Sequence, residues 1–390
     1  MREQPPGSPS ALRELAWLFL KLGTTSFGGP AAHMALMEDE VVRRRRWLSR
    51  EEFLDLLGAT QLIPGPNSTE LAIYIGQRRA GWAGLVVAGV CFMLRGVLIV
   101  MVIAWAYVRF GSLPRLQGVL YGVKPIIIAV VAQALWGLGR TAVKTPLLAL
   151  VGLSGAALNI MGVNELVVLF GTGLLLAANR AGKGTTPCVL PVLGMASGLP
   201  LAAGVAAGAV AAVPVSLWAV FCFFLKVGAV LFGSGYVLLA FLRADLVERW
   251  HWLSESQLLD AIAVGQMTPG PLFTTATFIG YVLGGPAAAT LATLGIFLPA
   301  FIFVALSGPL IPRLRDSLVA GAFLDGVNVA SLALMAVVSW RLGLATLVDW
   351  WSLFLAWAAV WLLLRHRVNS AWLVLGGAAA GLAITSLRGG

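Results

Sequence analysis

Apolar residues run along this chain in long blocks and do not alternate with polar ones. Thirteen blocks fall near 12–30, 53–76, 82–108, 117–139, 146–160, 163–179, 189–211, 214–242, 258–282, 285–308, 318–340, 345–364 and 370–387. A helix needs about 20 apolar residues to cross the hydrocarbon core of a bilayer. Most blocks approach that length, and some are short or internally broken. Transmembrane β-strands alternate apolar and polar residues over about ten positions, so the pattern excludes a barrel. It predicts an all-α polytopic membrane protein.

The blocks repeat. Phe19–Gly28 (FLKLGTTSFG) returns as Phe224–Gly233 (FLKVGAVLFG), an offset of 205. The same offset relates Trp47-Leu48-Ser49 to Trp252-Leu253-Ser254, Asp55 to Asp260, and Gln61-x-x-Pro64-Gly65-Pro66 to Gln266-x-x-Pro269-Gly270-Pro271. One residue is then lost, after which Gly122 matches Gly326 and Trp136 matches Trp340. A register shared by so many Gly, Pro and Trp positions is the mark of duplication. The expected domains are repeats at 12–180 and 217–387, with a linker at 181–216 that carries one apolar segment.

Six segments per half and a seventh between them invert the second half relative to the first, an architecture of many secondary transporters. Basic residues test this, because cytoplasmic loops retain Lys and Arg. If every segment crosses, the N-terminal side holds 14 Lys/Arg and the other side 9. If the first two segments of each half are re-entrant, the split becomes 17 against 6, and Arg43–Arg46 joins the richer side. The re-entrant arrangement fits the bias better. Either arrangement puts the N-terminus in the cytoplasm and the C-terminus on the opposite side.

Gly and Pro clusters that interrupt apolar segments are the best sequence pointer to a transporter site. Four occur: Phe27-Gly28-Gly29-Pro30, Pro64-Gly65-Pro66, Phe232-Gly233-Ser234-Gly235 and Pro269-Gly270-Pro271. Each ends one helix and starts another. The new N-terminus presents unpaired N–H groups and a partial positive charge, so four of them near the midplane suit an anion. Ser26, Gly28, Gly29, Gln61, Pro64, Gly65, Asn67, Ser68 and Thr69 in the first half are the candidate lining. Gly233, Ser234, Gly235, Gln266, Pro269, Gly270, Thr274 and Thr275 are its counterparts in the second. The plain alternative is a kink repaired by Ser and Thr bonding back to the backbone.

Charges inside apolar segments are costly and by default functional. Lys21 and Lys226 are equivalent, and two symmetric cations can neutralise a dianion; the alternative is snorkelling to an interface. Arg95 and Lys124 have no charged counterpart, since Pro299 and Asn328 occupy those places. Glu70, just after the first Pro-Gly-Pro, is the first candidate for a protonatable coupling residue. Its alternative is a permanent pair with Arg78 or Arg95. Asp325 is the next acid, and Arg95 completes the coupling candidates. Ser49 with Glu52 and Ser254 with Gln257 read as capping boxes, which makes Asp55 and Asp260 helix-start residues.

Composition agrees with this reading. The chain of 390 residues is 59% hydrophobic and 11% charged, too little charge to cover a soluble domain. The net charge of +10 resides in loops and not in a basic, aromatic-interleaved stretch, so no nucleic-acid partner is predicted. Three scattered cysteines and three isolated histidines give no metal spacing, and Gly182-Lys183-Gly184 lacks the phosphate-loop pattern. No cofactor is expected. The lipid bilayer and a small anion are the expected partners, and a homodimer is compatible with such a chain.

The same motifs carry a likeness to a known family. Lys21-x-Gly23-x-x-x-Phe27-Gly28-Gly29-Pro30, the basic-Trp-Leu-Ser stretch at 43–49 and Gln61-Leu62-Ile63-Pro64-Gly65-Pro66 resemble the chromate ion transporters. So do Phe232-Gly233-Ser234-Gly235-Tyr236, Val264–Pro271 and Phe323-Leu324-Asp325-Gly326-Val327-Asn328 in the second half. The resemblance implies a two-domain bacterial inner-membrane protein that expels chromate, a tetrahedral dianion shaped like sulfate, and so confers chromate resistance. Arg95 departs from the family, which commonly has Leu-Pro at that place. Sulfate import by the same fold, an anion channel and a membrane-embedded reductase are the rival readings; the last lacks any His or Cys cluster for a redox group.

Overall fold

The computed structural model describes residues 9–25, 30–110, 113–181, 214–232, 237–307, 317–366, 368 and 370–388. The first half folds as α1 (Pro9–Thr25), α2 (Pro30–Glu38), α3 (Arg50–Thr60), α4 (Asn67–Phe110), α5 (Pro114–Ala142), α6 (Pro146–Ile160) and α7 (Glu165–Ala181). The second folds as α8 (Leu217–Val230), α9 (Leu238–Leu242), α10 (Glu255–Met267), α11 (Thr275–Ser307), α12 (Leu318–Thr346), α13 (Trp350–Arg365) and α14 (Ser370–Arg388). No strand occurs among the described residues. The helices α4, α5, α11, α12 and α14 are long and apolar enough to cross a membrane. The apolar segment near 189–211 lies outside the described residues.

Local chemistry sets the helix starts. Both expected capping boxes form: Ser49 exchanges hydrogen bonds with Glu52, and Ser254 with Gln257. Before each box the chain makes a π-helical turn, Asp39–Arg44 and Arg243–Arg249. Each turn is followed by a residue with φ of 53°, Arg46 in one half and His251 in the other, 205 residues apart.

Three apolar windows that read as single segments each resolve into two helices. Block 53–76 becomes α3 and the start of α4, block 214–242 becomes α8 and α9, and block 258–282 becomes α10 and the start of α11. The reason is the Pro and Gly content of their centres. The longest helices are themselves folded back: α4 turns at Ala80-Gly81 (Gly81 φ 61°) and α11 at Gly284-Gly285 (Gly285 φ 69°). The arms of α4 are antiparallel, because a Cβ on Gly76 would meet the Gly84 carbonyl and one on Gly89 would meet Ile73. The first arm, 67–79, is about 20 Å long at 1.5 Å per residue, short of a bilayer core of about 30 Å. Half-length helices therefore meet at each Pro-Gly-Pro.

The halves interlock through matched contacts. Gly23 of α1 lies on the Phe92 carbonyl of α4, and Gly228 of α8 on the Ile296 carbonyl of α11. Across the halves, Gly122 of α5 packs on Gly377 and Gly381 of α14, while Gly326 of α12 packs on Thr172 and Gly173 of α7. Each half thus lends its last helices to the other's long helix, a pseudo-two-fold exchange. Small residues permit this closeness, and packing is what associates helices in lipid. The outside is apolar and rich in tryptophan, with Trp17, Trp82, Trp136, Trp218, Trp340 and Trp372 exposed, as a lipid-facing surface requires.

Candidate functional site

The two Pro-Gly-Pro elbows are buried except for the half-buried Pro64, and each packs on the other half. In the first, Pro64-Gly65-Pro66 turns α3 into α4, and the Gly65 N–H donates to the Leu231 carbonyl at the end of α8 (2.7 Å). In the second, Pro269-Gly270-Pro271 turns α10 into α11. A Cβ on Gly270 would lie 3.5 Å from Gly96 Cα of α4 and 3.7 Å from the Gly23 carbonyl of α1. Gly65 has φ 142° and Gly270 φ 106°, values an L side chain rarely adopts. So each elbow sits at the broken end of the opposite half's first helix. Ser26, Gly28, Gly29, Gly233, Ser234 and Gly235, which continue those ends, lie outside the described residues.

The first elbow is rich in unused acceptors. Asn67, Ser68, Thr69 and Glu70 open α4, and all four are buried. Asn67 Oδ1, Thr69 Oγ1 and both Glu70 carboxyl oxygens have no hydrogen-bond partner among the described residues. A side chain at this place in a helix points back toward the N-terminus, and Glu70 accordingly lies against Gly65, where a Cβ would strike its Oε1. The two pairings expected for Glu70 do not form: Arg78 reaches Glu52 (3.5 Å) and Arg95 reaches Thr24. Gln61 is exposed.

The second elbow differs. Its half is one residue shorter here, and a 3₁₀ turn at Leu272–Thr274 opens α11. Thr274 Oγ1 donates to the Pro271 carbonyl (2.9 Å) and Thr275 Oγ1 to the Leu272 carbonyl (2.8 Å). These threonines follow the plain alternative, a kink repaired by back-bonding. What remains unused is donors. Gln266 Nε2 is buried without a partner among the described residues. Arg95 donates from Nη1 to Thr24 Oγ1 at the end of α1 (2.6 Å). Among the described residues no carboxylate pairs with its guanidinium, and it adjoins Gly96, on which the Pro269 carbonyl packs.

The two symmetric lysines, expected as free cations for a dianion, are each paired. Lys21 donates to Glu40 (2.8 Å) and Lys226 to Asp245 (2.5 Å), acids on the two π-helical turns. The Lys21 hydrogen bond holds Glu40 below its ordinary 4.5. Arg44 and Arg45 also reach Glu40, and Arg249 reaches Asp245, so five cations share two acids, and the lysines tie each turn to the first helix of its half. Asp325 of α12 is likewise paired, with Lys144 (2.9 Å), just before the start of α6.

One cluster escaped the sequence reading. Asp260 is buried, not a solvated helix-start residue: Tyr107 donates to its Oδ2 (2.9 Å) and Lys124 stands 3.1 Å from its Oδ1. Lys124 also donates to Ser256 (2.8 Å). This joins α4 and α5 of the first half to α10, the helix that leads into the second elbow. Its counterpart Asp55 is exposed. The available signal was Lys124 itself, a cation inside an apolar block with no charged counterpart.

A duplicated, interlocked bundle of broken helices with buried polar elbows defines a transporter-type membrane protein. The particular family is fixed by comparison: the chain belongs to the chromate transporters, whose family model matches residues 13–177 and 218–382. It is 34% identical to the chromate transport protein of Cupriavidus metallidurans, over 96% of either chain. It is 32% identical to the chromate transport protein of Pseudomonas aeruginosa, over 97% of this chain and 92% of that one. An uncharacterised transporter of Methanocaldococcus jannaschii is 27% identical over 88% of this chain. No solved structure matches the chain.

Proposed function

We propose that this protein exports chromate from the bacterial cytoplasm across the inner membrane, binding the dianion at the second elbow. The observation that carries the site is Arg95, a cation on membrane-spanning α4 with no carboxylate partner among the described residues, next to Gly96, which packs on Pro269 of the second elbow. An intramembrane cation without a counter-ion marks an anion pathway. Thr24, Gly270 and the start of α11 complete the surroundings. Lys21 and Lys226 already balance Glu40 and Asp245, so Arg95 and not the lysines supplies the charge. In this reading the halves are inverted, the N-terminus is cytoplasmic and the C-terminus periplasmic. An inside-negative potential favours exit of the dianion, at about 2.3 kcal/mol per charge per 100 mV.

Flux into inside-out vesicles under imposed voltage tests this. Chromate accumulates against its gradient in vesicles carrying the wild-type chain, and Arg95→Gln reduces the flux. Downhill flux only makes the protein a channel, and a preference for sulfate entering right-side-out vesicles makes it an importer. Labelling of cysteines placed at Ser49 and Ser254 from opposite faces supports inversion; labelling of both from one face refutes it.

A further inference from the structure

The first elbow carries a feature that anion binding does not use: a buried cluster in which three of the four unpartnered oxygens can only accept. Asn67 Oδ1, Thr69 Oγ1, Glu70 Oε1 and Glu70 Oε2 lie within one turn of helix, and none has a donor among the described residues. An anion can take a hydrogen bond from the Thr69 hydroxyl but cannot satisfy the Asn67 amide oxygen or the Glu70 carboxylate. Among the described residues no cation pairs with these oxygens either. From α3 the first elbow meets Ala59, from α8 the Leu231 carbonyl already bonded to Gly65, and from α11 Ala300 and Val304. Tyr74, one turn along α4, is the titratable neighbour, and its hydroxyl is engaged with Ser307 of α11 (2.5 Å). A charged carboxylate there has lost its water and gained no partner in return. A proton on Glu70 cancels the charge and turns one orphan oxygen into a donor for which Asn67 and Thr69 are acceptors. A metal ion fits less well, since the N-terminal end of α4 is the positive end of its dipole.

We propose that the first elbow is a proton site with Glu70 as the carrier, and that its protonation and anion binding at the second elbow favour one another. The assignment rests on the chromate reading above. The link is geometric. Gly76 on Gly84 and Ile73 on Gly89 set the register of the two arms of α4, and continued down the hairpin it brings Asn67 level with Arg95. Acid and anion thus share one folded helix, and an ionised Glu70 repels the dianion that Arg95 attracts. By reciprocity, whatever anion binding adds to the proton affinity of Glu70, protonation adds to anion affinity. The duplication has thereby divided its two equivalent elbows into an acceptor site for a proton and a donor site for an anion.

The test uses the purified full chain in lipid nanodiscs, titrated with chromate and, because it does not itself titrate near neutrality, sulfate. A pH-indicator dye in weak buffer reads proton uptake. Wild type binds anion more tightly as pH falls and takes up protons on binding. Glu70→Gln binds sulfate with an affinity independent of pH and without uptake, and its chromate titration serves as the blank for chromate's own protonation. If Glu70→Gln fails to fold, Glu70→Asp moves the pH midpoint of binding; an unmoved midpoint overturns the assignment. So does wild-type uptake that persists in Glu70→Gln, or anion binding that follows sodium concentration at a flat pH profile. Wild type that binds anion with no proton uptake overturns the proton site and leaves the chromate reading standing. Wild type that binds neither anion overturns both.

Discussion

The two elbows descend from one ancestral motif and still share backbone geometry, yet they hold opposite chemistry. Both place Pro-Gly-Pro between a half-length helix and a folded one, with glycine at positive φ. Both press on the other half's broken first helix. The first leaves acceptors unused, and the second leaves donors unused. The divergence rests on few changes: Glu70 against a back-bonded Thr275, Arg95 against Pro299, and one residue fewer at the start of α11. A duplicated frame can keep its fold while its two copies specialise, because backbone geometry fixes the elbows and single side chains fix their charge.

The largest test of that comparison concerns how each elbow is held. Asp260→Asn strands Lys124 and is expected to destabilise by about 3 kcal/mol, the lower end for a buried pair that loses one partner, because Lys124 keeps some exposure. Asp55→Asn at the equivalent place changes stability by less than about 0.5 kcal/mol. Thermal unfolding in detergent compares them, and equal losses would erase the difference between the helices leading into the elbows.

Next in size is the glycine pair. An alanine at either Gly65 or Gly270 carries backbone strain of about 1–3 kcal/mol. At Gly65 its Cβ also strikes the Glu70 carboxyl, whereas at Gly270 the nearest atom is 3.5 Å away. Gly65→Ala is therefore the more harmful, and Glu70→Ala in the same chain recovers part of the loss. Absence of that recovery would place Glu70 away from the elbow.

Arg95→Gln is expected to raise the half-saturating chromate concentration about tenfold, or about 1.4 kcal/mol, while Lys21→Gln and Lys226→Gln leave it within about twofold. Vesicle flux at graded chromate decides, and a rise in the lysine variants instead would return them to the anion site.

The smallest effect is the acid sensitivity of the first half. Because Lys21 lowers the folded value for Glu40, the pair stabilises the protein above the ordinary 4.5, and the contribution vanishes as pH falls through the lowered value. The difference in melting temperature between wild type and Glu40→Gln should be constant above about pH 5 and close below it. A difference independent of pH would assign Glu40 a packing role only.

The sequence by itself determined the class, the duplication and the elbows. Length of apolar blocks, the shared 205-residue register and Pro-Gly-Pro are local or periodic signals, and they survive without knowledge of packing. Both capping boxes were legible for the same reason, since donor and acceptor stand three residues apart. Glu70 and Arg95 were legible as charges where lipid penalises charge. Only the tertiary structure decided who partners whom. Lys21 and Glu40 are 19 residues apart, Lys226 and Asp245 likewise, and their pairing depends on a π-helical turn that no periodicity announces. Asp260 meets Lys124 and Tyr107 across the two halves, a contact between residues more than a hundred positions apart. Whether a buried charge is free or balanced depends on such long-range neighbours, and that is why Arg95, and not the symmetric lysines, is the cation proposed for the anion site.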